Sequence, residues 1–196
     1  MEKTRLDKQL AFLMEIDRMK TILRRNVILD QSKQEDDAEH SWHMAVMAML
    51  LYEYAPEGTD LLRVLKMALI HDLVEVYAGD TFCYDQAANQ DKAQREQAAA
   101  EKLFSMLEPD QEQELRALWE EFDRMDTPDS LYAGAIDRLQ PLLLNCHTGG
   151  HTWKLGDVHS ADVYRRAEPI RRASPQLWKI VCSMIQACIH SGLLKE

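Results

Sequence analysis

The run Asp60-Leu61-Leu62-Arg63-Val64-Leu65-Lys66-Met67-Ala68-Leu69-Ile70-His71-Asp72-Leu73-Val74-Glu75-Val76-Tyr77-Ala78-Gly79 decides the fold class. Asp60 offers a side-chain oxygen where a helix would start, and Gly79 stands where a helix would stop. The reading is one apolar helix over residues 61–78. Three ionisable side chains, His71, Asp72 and Glu75, sit in it among Met67, Ala68, Leu69, Ile70, Leu73, Val74 and Val76. Burying such groups is costly unless they are paired or hold a metal. Glu75 follows His71 by four positions and Asp72 by three, so a regular helix would stack it one turn along on their face.

Upstream, Leu6, Leu10, Leu13, Ile16 and Leu23 keep helical spacing, predicting a helix that ends near Arg24–Arg25, followed by an extended or looped link over residues 26–33. Asp36 with Glu39 three residues on resembles a capping box. It opens a helix that carries Met44, Met47, Met49, Leu50 and Leu51 as far as the break at Pro56 and Gly58, with the methionines packed in the core. Downstream, residues 81–89 read as a loop. Helices are expected over residues 90–107, around Leu115–Phe122, from Pro128 to Leu144 with an end at Gly149–Gly150, over 160–172 and over 175–193. The broad apolar face of the last helix suits either core or a dimer contact. Arg165–Arg166 and Arg171–Arg172 read as a solvated helix face.

Composition supports an all-α architecture, since 7 Gly and 6 Pro in 196 residues leave few tight turns for a many-stranded β fold. The length is that of a single domain, residues 1–196. At 46% apolar and 29% charged residues the chain is far from the disordered class. Its net charge of −10 argues against a nucleic-acid polymer as partner, so an anionic substrate must meet a local cluster of positive charge. Residues Met1 to Arg5 carry no apolar signal region, and no window reaches the roughly 18 apolar residues of a membrane span. These features point to the cytoplasm and to no membrane partner. Cys83, Cys146, Cys182 and Cys188 form no CxxC pair and read as reduced, mostly core residues.

Two further segments bear on chemistry. Ala38-Glu39-His40-Ser41-Trp42-His43 places two imidazoles three apart near a helix start, and either could reach a metal. Asp137 lies among apolar residues, and Pro141 four positions later lacks the N–H that would bond the Asp137 carbonyl, which predicts a distorted helix. His147 and His151 have a ligand-like spacing, but Gly149–Gly150 between them disfavours the helix that such a pair would need.

Together, Ala38-Glu39-His40-Ser41, His71-Asp72 with Glu75 and Gly79-Asp80 behind it, and Asp137 resemble the HD-domain metal-dependent phosphohydrolases. Within them the chain is most similar to the small 5'-deoxynucleotidase group, through Met19–Arg24, residues 38–41 and 71–80, Leu118–Phe122 and Asp137, covering most of residues 19–145. The resemblance implies a single helical HD-type domain. It also implies one divalent transition metal ion per chain, held by His40, His71, Asp72 and Asp137. Glu75 would act as general base or water-positioning carboxylate, Arg24 would orient the phosphate, and Asp80 with Thr81 would face the sugar. The group has Trp directly after that Arg, whereas this chain has Arg25, an added positive charge that suits a phosphate or polyphosphate.

Two imidazoles and two carboxylates, with no thiolate, suit Mn, Co, Fe, Ni or Zn without selecting among them. The implied activity is removal of the 5'-phosphate from (deoxy)nucleoside monophosphates by a homodimer. Two alternatives are a related hydrolase acting on a cyclic nucleotide, nucleoside polyphosphate or other phosphoester, and a metal-stabilised nucleotide-binding protein without catalysis. The second needs only the four ligands and leaves Glu75, Asp80 and Arg24 without a task.

Overall fold

Helix α7 (Pro128–His147) is buried on nearly every side, with Tyr132, Ala133, Ala135, Ile136, Asp137, Leu139 and Gln140 all buried. A helix with no wet face belongs in the middle of a bundle. In the computed structural model, which describes residues 3–196, it does so. Met1 and Glu2, part of the polar N-terminal run, lie outside the described residues. Around α7 pack α2 (Asp37–Leu50), α3 (Leu61–Ile70), α6 (Pro109–Arg124), α10 (Glu168–Ala173) and α11 (Pro175–His190). One apolar cluster runs through the bundle from Phe12 to Leu194. The fold is all-α apart from a two-stranded hairpin of β1 (Leu23–Val27) and β2 (Gln34–Asp36), antiparallel with Leu23 opposite Asp36 and Val27 opposite Gln34.

The cap signals hold. Asp36 and Glu39 close a capping box at α2, Asp60 accepts from the Leu62 N–H at α3, and Thr127 and Ser130 box the start of α7. Gly79 ends α4 (Glu75–Ala78) at φ +75°, a conformation that costs glycine little. Helix α7 runs on through Pro141. The lost bond is confined to the Asp137 carbonyl.

Other boundaries differ. Helix α1 (Arg5–Ile16) stops early, a 3₁₀ turn spans Asp17–Thr21, and Arg24 and Arg25 lie on β1 rather than at a helix end. Strand geometry sends alternate side chains to opposite faces. Arg24 turns inward and Arg25 stays exposed with its guanidinium over the Phe82 ring, 4.8 Å from its centroid. The spacing of Leu6, Leu10 and Leu13 is helical, yet all three are exposed, and only Phe12 of α1 is fully buried.

The expected helix over 61–78 is broken where its chemistry lies. α3 ends at Ile70, and the N–H groups of Leu73, Glu75, Val76 and Tyr77 bond the carbonyls three residues back, through the turn and into the start of α4. That tighter winding changes the direction of each side chain relative to an α-helix. The segment read as one helix over 160–172 is two, α9 (Ser160–Arg166) and α10, because Pro169 cannot continue a preceding helix. A short helix α8 (His151–Leu155) follows Gly149–Gly150, and α5 (Lys92–Phe104) completes the set. All four cysteines are free, but only Cys188 is buried, Cys83 is exposed, and Met49 is exposed while Met44 and Met47 are core. Among the described residues no helix is long and apolar enough to cross a membrane.

Candidate active site

Four elements deliver the residues that the sequence singles out. His40 comes from the first turns of α2, His71 and Asp72 from the tight turn after α3, Asp137 from the centre of α7, and Arg24 from β1. His40 Nε2 lies 3.2 Å from Asp137 Oδ1, and His71 Nε2 lies 3.0 Å from Asp72 Oδ2 and 3.8 Å from Asp137 Oδ1. Ligand atoms of His40, His71 and Asp72 all lie within 4.8 Å of one another.

Both imidazoles turn Nε2 inward. His71 Nδ1 sits 3.0 Å from the Ala68 carbonyl, so it is the protonated nitrogen, and its buried Nε2 has no hydrogen-bond partner. A buried nitrogen of this kind, facing two carboxylates and a second imidazole, suits a divalent cation. The Phe122 ring of α6 packs on His71 at 4.7 Å. His43, the alternative ligand, is set behind the site, its Nδ1 3.2 Å from Gln140 Nε2.

Electrostatics follow from this crowding. Burial works against the charge on Asp72 and on Asp137. For Asp72 it is outweighed by His71 and Arg24, and for Asp137 by the His40 hydrogen bond and Arg138, so both carboxyls stay well below the usual range. Burial and the nearby Arg24 push His40 down, towards the neutral form that a metal ligand needs. Burial opposes a charge on His71, but Asp72 reverses this and raises it.

Beside this group lies a second one. Asp37, Glu75 and Asp80 bring carboxylate oxygens within 4.8 Å of one another. From the tight turn after α3, Glu75 brings its carboxylate to Asp37 and Asp80, with Asp72 close enough to act on it. Burial and then Asp72 raise Asp37 to about 7, and burial with the charges of Asp72, Asp37 and Asp80 lifts Glu75 well above its ordinary value. Burial also raises Asp80.

Arg24 joins the two groups, its Nη1 3.0 Å from Asp72 Oδ2 and 3.5 Å from Asp37 Oδ1, with Nε 3.5 Å from Glu35 Oε2. Burial disfavours its charge, but Asp72, Asp80, Asp37 and Glu75 more than compensate. Thr81, buried, accepts from Arg95 Nη2 at 3.0 Å and lines the same cavity as Arg24, Arg25, His71, Asp72 and Asp80.

Several residues around the cavity escape the sequence reading. Lys92 and Arg138 line it, as does Arg166, which reaches to 3.6 Å from Asp137 Oδ2. The sequence puts Arg166 with Arg165 on a solvated face; Arg165 does pair outward with Asp162, whereas Arg166 turns in. Two adjacent arginines in a short helix point about 100° apart, and no local signal says which faces the core.

A family model described as HD domain matches residues 16–178. The chain belongs to the HD-domain family. A solved structure, a predicted metal-dependent phosphohydrolase from Magnetospirillum magnetotacticum MS-1, is 46% identical with a TM-score of 0.94, and the likeness covers 98% of this chain and 96% of that one. Curated relatives include the 5'-deoxynucleotidase HDDC2 of Xenopus laevis, 32% identical over 135 residues, and those of Bos taurus at 29% and Homo sapiens at 27%. Each match covers 68% of this HD-domain chain and 66%, 64% and 65% of the respective relative, just under two thirds of the relatives' own length.

Proposed function

We propose that this chain, as one HD-type domain over residues 1–196, is a metal-dependent phosphohydrolase that removes the 5'-phosphate from (deoxy)nucleoside monophosphates. The observation that carries the proposal is the convergence of His40, His71, Asp72 and Asp137 around a buried, partnerless His71 Nε2, with the Arg24 guanidinium 3.0 Å from Asp72. We assign one divalent ion per chain, Mn, Co, Fe, Ni or Zn, to those four residues. When bound, such an ion neutralises phosphate charge and lowers the pKa of water.

The remaining chemistry belongs to the chain. Arg24, its planar fork already oriented by Asp72, grips the phosphate oxygens with a geometry that Lys lacks. Glu75, buried with Oε2 unpartnered and its pKa lifted, takes or orients the proton of the attacking water. Asp80 and Thr81, which line the cavity, face the sugar in this reading, and Arg25 adds positive charge beside them. The exposed apolar stripe of α1, Leu6, Leu10, Leu13 and Met14, supports the homodimer that the family resemblance implies.

A second reading has its own support. Arg25, whose guanidinium lies over the Phe82 ring in the lining of the cavity, offers a further phosphate a contact beyond Arg24, as a nucleoside polyphosphate would use, while Lys92, Arg138 and Arg166 line the cavity beside Glu96 and Asp137. One panel separates the two. The protein is stripped, reloaded with Mn, Co, Mg or Zn, and assayed for phosphate release from ribo- and deoxyribonucleoside 5'-monophosphates, 3'-monophosphates, cyclic nucleotides and nucleoside di- and triphosphates. Turnover confined to 5'-monophosphates is the expected result; turnover only on the others, or on none with metal bound, overturns the assignment.

A further inference from the structure

The two imidazoles of the site are held in the same tautomer by different means. His71 leans on a backbone carbonyl, an acceptor that cannot turn round. His40 has no such carbonyl; its Nδ1 lies 3.0 Å from Gln140 Oε1, a side-chain amide that would present NH2 in place of oxygen if it flipped. The amide is locked by what lies behind it. Gln140 Nε2 donates to Glu35 Oε1 at 2.5 Å and lies 3.2 Å from His43 Nδ1, and both partners are acceptors there. All three groups are shielded: Gln140 and His40 are wholly buried, and Glu35 is 2% exposed. The other Glu35 oxygen faces Arg24 Nε at 3.5 Å.

We propose that Gln140 and Glu35 are positioning residues for the metal centre: Glu35 fixes the Gln140 amide, and Gln140 holds the Nδ1 proton of His40 so that Nε2 is presented to the ion. A neutral histidine has one acceptor nitrogen, and the bond made by the other decides which one it is. A partner behind a ligand imidazole also raises its basicity, and losing such partners commonly lowers metal affinity by about 10- to 100-fold. Glu35 touches Arg24 as well, so the same carboxylate steadies both the phosphate-gripping fork and the ligand ring. The proposal rests on His40 being a metal ligand, as assigned above.

The test reads zinc binding and the His40 ring, with no substrate present. At pH 8, zinc affinity is measured by chelator competition for the wild type, Gln140→Met and the double variant Glu35→Gln/Gln140→Glu. The Nδ1–H proton of His40 is followed by NMR in the zinc-loaded proteins. Met fills the space and offers no acceptor. The double variant restores the pattern with reversed polarity, since the carboxylate now at position 140 accepts both from His40 and from the amide now at position 35. Expected are a loss of affinity of about 10- to 100-fold and rapid solvent exchange of the His40 proton in Gln140→Met. The double variant is expected to recover to within about 3-fold, with a protected proton. Unchanged affinity and a protected proton in Gln140→Met overturn the proposal. So does a folded double variant as weak as Gln140→Met, or about 10-fold or more below the wild type if Gln140→Met fails to fold. A wild-type chain that binds zinc but hydrolyses no nucleotide would defeat the phosphohydrolase reading and leave this test standing.

Discussion

Replacing Arg24 with Met removes the one guanidinium that bridges Asp72, Asp37 and Glu35, at 3.0, 3.5 and 3.5 Å. Breaking a buried ion pair by deleting one partner costs about 3–5 kcal/mol. Here the cost has a ceiling, because Asp72, which keeps His71 Nε2 at 3.0 Å, can take up a proton instead of staying charged without Arg24. For a carboxyl of ordinary pKa that step costs about 4 kcal/mol at pH 7, and it becomes cheaper by about 1.4 kcal/mol for each pH unit below. The ion-free Arg24→Met protein should therefore lose about 3–4 kcal/mol at pH 7. For a chain of this length that corresponds to a fall in Tm of roughly 6–16 °C. At pH 5 the loss should shrink to about 1–2 kcal/mol. Denaturant unfolding of the stripped protein at both pH values measures this. A loss under about 1 kcal/mol at pH 7, or one that does not shrink with acid, refutes the reasoning.

Other perturbations probe other parts of the account. Glu75→Gln should keep its metal content, read by elemental analysis, while phosphate release falls about 10²- to 10⁴-fold. Asp72→Ala should lose both ion and turnover. Burial, opposed by Arg24 and Gln140, raises Glu35 from 4.5 to about 7. A raised carboxyl favours the folded state below its unfolded pKa and loses that benefit as pH climbs through the folded value. The ion-free protein should thus lose up to about 3 kcal/mol between pH 4.5 and 7 through this group, and Glu35→Gln should flatten that slope in thermal melts. Gly150→Ala places a Cβ 2.5 Å from the Leu193 carbonyl oxygen at φ +71°, so its Tm should drop by at least about 4 °C in calorimetry.

The helical class, the caps at Asp36 and Asp60 and the stop at Gly79 are legible because each is a local signal read over a few residues. His40, His71, Asp72 and Asp137 are legible as a set through their motif context, and their convergence is what the fold adds. Apolar spacing puts Arg24 and Arg25 at a helix end because Leu23 continues the pattern of α1; pairing with β2, a tertiary event, overrides it. The same limit hides Gln140, Glu35 and Asp37. A Gln three residues after Asp137 shares its face of α7, but nothing local tells that Glu35 will meet it across 105 residues of sequence. The direction of Glu75 depends on a tightening of the backbone after Ile70 that apolar spacing does not encode.

The central claim is that one ion, held by His40, His71, Asp72 and Asp137, makes this chain a phosphohydrolase. Its most direct test is to titrate stripped protein with Mn or Co and measure, in the same samples, bound ion and phosphate released from a 2'-deoxynucleoside 5'-monophosphate. Bound ion and phosphate release should rise together in the wild type and both stay absent in Asp72→Ala. Release from the stripped protein, or full ion binding with no release from any phosphoester of the panel, would contradict the account.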